Sequence, residues 1–132
     1  MTASHEGGCL CSAIRYRATG MPAFTVIRTC TQCMRQTGSP LPTYASYPLA
    51  QFALLSGAPE SYRASDRARR EFCGDCGSFL FWRRDGGSRI GIALGGFDDP
   101  SAQPKPDVRI WARHGVSWLD DLAVEKVLLE GS

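Results

Sequence analysis

The chain has 132 residues, of which 43% are hydrophobic, and a formal net charge of +2. This length fits a single domain spanning 1–132 with a core of its own. No run approaches the roughly 18 consecutive apolar residues of a membrane helix, and so small a net charge does not indicate nucleic-acid binding. Only two of the 15 basic residues are lysines. Arginine is suited to carboxylates and phosphates, so these residues predict either an anionic ligand or simply solvated strand faces.

Short strands are predicted along most of the chain. Ile14, Tyr16 and Ala18 alternate with other residues, which is the period of a half-buried strand. Turn residues separate this segment from the β-branched run 24–27, and 28–35 is predicted to be the loop that follows it. Further extended segments are expected at 43–47, 60–64, 69–72, 78–82, 90–94 and 108–111, with one helical turn near 49–52.

These segments indicate the fold class. Seven or more short strands at close spacing, without a convincing long helix, favour a single all-β domain. The apolar segment 119–129 has no clean period and is predicted to be either a strand or a short helix.

Cysteine spacing predicts a structural zinc site. Cys73 and Cys76 form a Cys-x-x-Cys-Gly knuckle at a predicted hairpin tip, and Cys9 and Cys11 offer a second close pair. The alternatives are disulfides, for which six cysteines allow about 15 connectivities, or unrelated free thiols. Residues 1–8 lack the basic start and apolar segment of a secretory signal, so we expect a cytoplasmic location in which metal is favoured over disulfides.

Two cysteines remain after this assignment, Cys30 and Cys33. A catalytic zinc usually takes three protein ligands, so two thiolates are one short. The candidates for the missing ligand are His5, His114, a nearby carboxylate or a substrate thiol, although a lone histidine is more often a surface or hydrogen-bonded residue than a ligand. The pair is otherwise a reduced dithiol on a tight turn. It is also a candidate for redox work, in which Arg28 would lower the pKa of a neighbouring thiol.

Several motifs in order resemble the glutathione-dependent formaldehyde-activating enzyme family, which includes centromere protein V. The similarity runs from about residue 8 to residue 122. The motifs are Gly8-Cys9-Leu10-Cys11, the 30–38 stretch Cys-Thr-Gln-Cys-Met-Arg-Gln-Thr-Gly, Tyr62, Phe72-Cys73-Gly74-Asp75-Cys76-Gly77, Leu94-Gly95, Asp98-Asp99-Pro100 and Trp118.

The resemblance implies a β-tent fold of several small coiled antiparallel sheets. It also implies a structural zinc on the four cysteines named above and a second, labile zinc on the middle cluster that contains Cys30 and Cys33. The implied activity is that of a carbon–sulfur lyase, which joins glutathione and formaldehyde reversibly as S-hydroxymethylglutathione. Catalytic residues would be Cys30 and Cys33, and Arg28 and Arg35 are candidates for binding the substrate.

The sequence departs from the family pattern at the second zinc site. Arg28 stands where the family has its first middle-cluster cysteine, and Thr29 stands where it has a histidine. A histidine common before the last strand is replaced by Arg109. A non-catalytic, zinc-stabilised binding module with a degenerate second metal site is therefore the alternative function.

Overall fold

The computed structural model describes residues 2–131, and most regular segments in it are strands. The strands are β1 (Ser4–Gly8), β2 (Arg15–Thr19), β3 (Phe24–Arg28), β4 (Thr43–Pro48), β5 (Phe52–Ser56), β6 (Glu60–Arg63), β7 (Ala68–Phe72), β8 (Phe79–Arg84), β9 (Arg89–Ala93) and β10 (Val108–Ile110). Within 2–131 there is one α-helix, α1 (Thr31–Thr37). Short 3-10 turns lie at Leu49–Gln51, Leu94–Gly96, Pro100–Ala102, Ala112–His114 and Ser117–Asp120. The all-β prediction is confirmed.

The strands form two sheets. One contains β1, β2 and β5, and the other has the order β10-β3-β4-β9-β8-β7-β6. Neighbouring strands are antiparallel except β10 and β3, which run parallel. A parallel pair requires a long crossover connection. Here the chain between β3 and β10 contains all the other strands of the larger sheet.

Tyr16 of β2 lies at the centre of the core. Its ring packs edge-on against Phe81 at 5.2 Å and Phe97 at 5.6 Å between ring centroids. Aromatic pairs of this geometry contribute roughly 0.5–1.5 kcal/mol each beyond the area they bury. Ile14 and Ala18 are buried with Tyr16, so the alternation predicted for this strand is confirmed.

The segment 28–35 contains the start of α1, so its prediction as a loop was wrong. Sγ of Cys30 caps the helix by accepting the N–H of Cys33 at 3.2 Å. Gly38 ends the helix in the left-handed conformation, with φ of 66°. Cysteine is not among the usual N-cap residues, and seven residues are too few to show a helical period.

The C-terminal segment also differs from its prediction. After the 3-10 turn at Ser117–Asp120, residues 121–131 form neither helix nor strand. Their apolar side chains are exposed, and without burial they gain nothing from a regular conformation. The exposed large residues here are Leu122, Val124, Val127, Leu128 and Leu129.

The hairpin of β7 and β8 carries the cysteine knuckle. These strands pair antiparallel, and the N–H of Cys73 donates to the carbonyl of Ser78 at 2.9 Å across the turn. The predicted position of the knuckle at a hairpin tip is confirmed. No helix in the described part of the chain has the length and apolar character needed to cross a bilayer.

Candidate metal centre and dithiol site

The four cysteines predicted as metal ligands lie together in space. Cys9 and Cys11 belong to the loop between β1 and β2, and Cys73 and Cys76 to the tip of the β7–β8 hairpin. Their Sγ atoms all lie within 4.8 Å of one another. The fold therefore brings two distant pairs of thiols to one place.

Distances within this cluster match a tetrahedral metal site. Sγ of Cys11 lies 3.6 Å from Sγ of Cys9 and 3.8 Å from Sγ of Cys73. Four thiolates bound at about 2.3 Å to one zinc ion stand about 3.8 Å apart. The cluster can therefore hold a metal ion without rearrangement of its loops.

The thiols of the cluster differ in their tendency to ionise. Hydrogen bonds from the hydroxyl and the N–H of Ser78 lower the pKa of Cys76 to about 5. The N–H of Ala13 lowers the pKa of Cys11, but hydrogen bonding with Cys9 and the other thiols outweighs it and raises the pKa to about 12. Ionisation of one thiol in the cluster therefore disfavours ionisation of its neighbours, and a bound divalent cation would stabilise all four thiolates together.

Ser78 fixes the two cysteine-bearing loops to each other. Its hydroxyl accepts the N–H of Leu10 at 3.0 Å, while its carbonyl accepts the N–H of Cys73. Gly77 completes the turn with φ of 79°, a conformation that glycine adopts without strain. Hydrogen bonds of this kind orient metal ligands before the metal arrives.

Cys30 and Cys33 form a separate thiol pair at the start of α1. The Cys30 thiol donates to Sγ of Cys33 at a distance of 2.7 Å. Cys33 is fully buried with Val26 and Tyr44, whereas Cys30 is partly exposed. Cys30 is therefore the thiol that a ligand can reach.

A buried arginine that was not singled out from the sequence contacts this pair. Arg70 of β7 is 3% exposed, and its Nη2 lies 3.3 Å from Sγ of Cys33. Its Nη1 donates to Oε1 of Gln36 at 3.4 Å. A guanidinium cannot lose its charge, so its burial requires an anionic or strongly polar neighbour. The available signal was strand alternation, which places Arg70 on the inward face with buried Ala68.

Arg70 sets the order in which the two thiols ionise. Burial acts to raise the pKa of Cys33, but hydrogen bonds from Cys30 and Arg70 outweigh burial and lower the pKa. Burial and the neighbouring Cys33 raise the pKa of Cys30. The first proton therefore leaves Cys33, and the second is held on Cys30.

Cys30 lines a cavity of about 290 Å³, together with residues of β3, β7 and β8. The guanidinium of Arg28 lies over the ring of Trp82, 4.6 Å from its centroid, at the wall of this cavity. Nε of Arg28 is buried and has no hydrogen-bond partner within residues 2–131. Because an unpaired buried donor is costly, Arg28 has the capacity to bind an acceptor on a ligand. Trp111 and His114 also line the cavity.

Arg35, the other predicted substrate-binding residue, lines a different cavity of about 640 Å³. Gln32 and Arg70 line both cavities, so the two are neighbours. The structure thus brings Arg28 to the same cavity as Cys30 and places Arg35 beside it.

The dithiol does not fit the second zinc site that the resemblance implied. Cys30 and Cys33 supply two thiolates, one fewer than the three protein ligands that a catalytic zinc usually takes. The residue at the position of the third ligand that the resemblance implied is Arg28, a cation that cannot bind zinc. Thr29 is fully buried, and its hydroxyl donates to the carbonyl of Trp111 at 2.9 Å, so its role is to hold the following loop.

Neither histidine belongs to the four-cysteine cluster, which is the metal-ligand group found among residues 2–131. His5 lies in β1, and His114 lines the cavity of Cys30. Arg109, at the position of the family histidine, is paired with Asp120 at 2.9 Å. These side chains therefore do not complete a second metal site.

Comparisons with known proteins identify a family and a fold. A family model described as glutathione-dependent formaldehyde-activating enzyme matches residues 4–114. A crystal structure of a Rhodobacter sphaeroides protein is similar, with a TM-score of 0.62 and 19% sequence identity. That match covers 79% of this chain and 98% of the other, and at this identity it shows the fold alone. No curated protein sequence matched the chain significantly.

Proposed function

The chain belongs to the glutathione-dependent formaldehyde-activating enzyme family, and we propose on this basis that it is a carbon–sulfur lyase. Its substrate is the adduct of a small thiol such as glutathione with an aldehyde such as formaldehyde. The observation that carries this proposal is the dithiol: Cys30 faces a cavity as a thiol, while Cys33 is poised to ionise beside buried Arg70.

We assign zinc to the four-cysteine cluster. Four thiolates are soft ligands that favour zinc, and a site closed by four protein ligands leaves no position for water or substrate. The metal then supplies stability, since it ties the β1–β2 loop to the β7–β8 hairpin. No catalytic step is assigned to a second metal, because the dithiol does not fit one.

Proton transfer in the lyase direction is assigned to Cys30. Its thiol donates a proton to the sulfur of the adduct as the carbon–sulfur bond breaks. The hydroxyl of the adduct gives its proton to Sγ of Cys30, and the electron pair of that O–H bond forms the carbonyl. The products are a free thiol and an aldehyde, Cys30 is again a thiol, and no oxidant or reductant is consumed.

Cys33 and Arg70 position and tune this proton. Burial and the hydrogen bond to Sγ of Cys33 raise the pKa of the Cys30 thiol. General acid catalysis is efficient when the pKa values of donor and leaving group are similar, and here both groups are thiols. Cys33 and Arg70 are therefore assigned a positioning role, in which they act on the reaction through the Cys30 thiol.

The arginines supply positive charge that binds the oxygen atoms of the substrate. The unpaired Nε–H of Arg28 is proposed to donate to the adduct oxygen, where negative charge develops as the carbonyl forms. Arg35, in the neighbouring cavity, is proposed to bind a carboxylate of an extended thiol such as glutathione.

The test is the rate of exchange between free glutathione and its formaldehyde adduct, measured by NMR with the uncatalysed rate subtracted. Cys30→Ser is expected to lower the protein-dependent rate by about 100-fold or more. Met34→Leu, in α1 but outside the cavities of Cys30 and Arg35, is the matched control and should retain the rate. A wild-type rate no greater than the uncatalysed one contradicts the lyase proposal.

One observation favours the alternative of a non-catalytic binding module. Arg28 stands at the position of a family metal ligand, and its side chain, whose buried Nε has no partner within residues 2–131, lines the cavity. A module of this kind would bind glutathione without accelerating exchange. Calorimetric titration of glutathione, together with the exchange assay, separates the two functions, because binding with no rate enhancement supports the module alone.

A further inference from the structure

A third cavity of about 350 Å³ lies on the larger sheet, on the face opposite the core. Side chains of β3, β4, β8 and β9 line it. Trp82 and Gly91, which are register partners, face the cavity, whereas their neighbours Phe81, Ile90 and Ile92 are buried in the core. Strand alternation thus gives this sheet a second, partly open face.

Three arginines line this cavity without an acidic residue. Arg28, Arg84 and Arg89 have no carboxylate within 4.0 Å in the described range 2–131. Six other arginines in the same range do have such partners, namely Arg15, Arg17, Arg63, Arg69, Arg83 and Arg109. The positive charge of the cavity is therefore not neutralised by the protein, and it attracts anions.

Aromatic rings hold two of these guanidinium groups by their faces. Arg28 lies over Trp82 at 4.6 Å, and Arg89 lies over Phe24 at 5.4 Å from the ring centroid. A cation–π contact of this kind uses the flat face of the guanidinium. The N–H groups at its edge remain available for a carboxylate or phosphate.

Gly91 leaves space in the middle of the cavity. Its backbone is not in the left-handed region, and a Cβ at this position would meet only Trp82, at ordinary contact distances of 3.6 Å. The backbone does not require glycine here. Because Gly91 has no side chain, the cavity has an open floor beside the indole ring of Trp82, and this floor is suited to a flat apolar group.

The charges lie at two ends of this floor. Arg84 and Arg89 belong to adjoining ends of β8 and β9, two residues from the Trp82–Gly91 pair, and Arg28 comes from the far end of β3. We infer that the cavity binds a small organic dianion, with one anionic group at Arg28, the other between Arg84 and Arg89, and a flat apolar body on the open floor at Gly91. This cavity shares Arg28 and Trp82 with the cavity of Cys30 but does not include that thiol, and its occupant goes beyond the lyase proposal.

The test is calorimetric titration with benzene-1,4-dicarboxylate, compared with the neutral diamide of the same shape. The diacid is expected to bind and the diamide to bind at least about tenfold more weakly, since charged hydrogen bonds are lost. Arg84→Gln and Arg89→Gln should each weaken diacid binding roughly tenfold. Arg67→Gln removes an exposed arginine outside the cavity and should leave binding unchanged.

A steric variant tests the position of the ligand independently of charge. Gly91→Leu fills the floor and is expected to abolish diacid binding while all three arginines remain. Thermal unfolding establishes that this variant is folded, and if it is not, the two arginine variants decide. Equal binding of diacid and diamide, no diacid binding at millimolar concentration, or full binding by folded Gly91→Leu would each overturn the inference.

Discussion

Nη2 of Arg70 lies 3.3 Å from Sγ of Cys33, and both side chains are buried. This contact joins β7 to α1 and gives the dithiol its asymmetry. The pKa of Cys33 is lowered next to the guanidinium, whereas the pKa of Cys30, at the cavity wall, is raised. The chemistry proposed for Cys30 therefore depends on Arg70, which acts through Cys33.

Replacing Arg70 tests this dependence. Arg70→Gln removes the cation that lowers the pKa of Cys33, so the first ionisation of the dithiol is expected to move to higher pH. The ultraviolet absorbance of thiolate, titrated against pH and compared with Cys33→Ser, measures this shift. An unchanged first ionisation in Arg70→Gln would show that Arg70 does not stabilise the Cys33 thiolate.

The same contact predicts how stability depends on pH. The pKa of Cys33 is lowered on folding, so its contribution to the free energy of unfolding is complete above the ordinary thiol pKa and is lost as pH falls through the folded pKa. Arg70→Gln should thus be destabilised most at alkaline pH. Denaturant unfolding is measured from acidic to alkaline pH. At alkaline pH the free energy of unfolding of the wild type is expected to exceed that of Arg70→Gln by about 1–3 kcal/mol, and this difference should narrow toward acidic pH.

The metal cluster is expected to govern stability. Cys11→Ser removes one of four ligands and should lower the free energy of unfolding by several kcal/mol, because binding energy at a structural metal site is folding energy. Cys30→Ser is the matched control, since Cys30 lies outside the cluster. Thermal unfolding with and without a chelator measures the stability of both variants. Equal sensitivity of the two variants would contradict a structural role confined to the four cysteines.

Two buried tyrosines differ in the hydrogen bonding of their hydroxyl groups, so their phenylalanine variants can be compared. The hydroxyl of Tyr47 donates to the carbonyl of Gly20 at 2.9 Å and accepts from Gln103 at 3.1 Å. The hydroxyl of Tyr16 is buried with no hydrogen-bond partner within residues 2–131. Tyr47→Phe should therefore cost about 1–2 kcal/mol in denaturant unfolding, while Tyr16→Phe should be neutral or stabilising. A larger loss for Tyr16→Phe would contradict this assignment of partners.

Two glycines with similar backbone conformations should respond differently to alanine. Gly38 has φ of 66° with open space around it, so Gly38→Ala should cost only about 1 kcal/mol of conformational strain. Gly57 has φ of 79°, and a Cβ there would overlap the carbonyl of Ala13 beside the cysteine loop. Gly57→Ala should cost at least about 2 kcal/mol, and equal unfolding free energies for the two variants would contradict the overlap.

Local spacing in the sequence was sufficient to predict most strands and the metal cluster. Cys73, Cys76 and Gly77 define their turn by themselves, and Cys9 and Cys11 provide the second pair through the same local rule. Alternation likewise identified the buried face around Tyr16, because the period of a strand depends only on neighbouring residues.

The dithiol site could not be predicted in the same way. The partner of Cys33 is Arg70, which is distant in sequence and meets α1 only because β7 joins the larger sheet. Arg28 was a reasonable candidate for lowering a thiol pKa since it is close in sequence, but its guanidinium packs on Trp82 instead. Pairings of this kind are set by the fold rather than by spacing.

Metal content per chain distinguishes one zinc site from two. It is measured by elemental analysis of the wild type and of a variant with Cys30→Ser and Cys33→Ser. One zinc per chain in both proteins is predicted, because the four-cysteine cluster fits a metal and the dithiol does not. Two zinc ions in the wild type and one in the double variant would contradict the account and assign a metal to the dithiol.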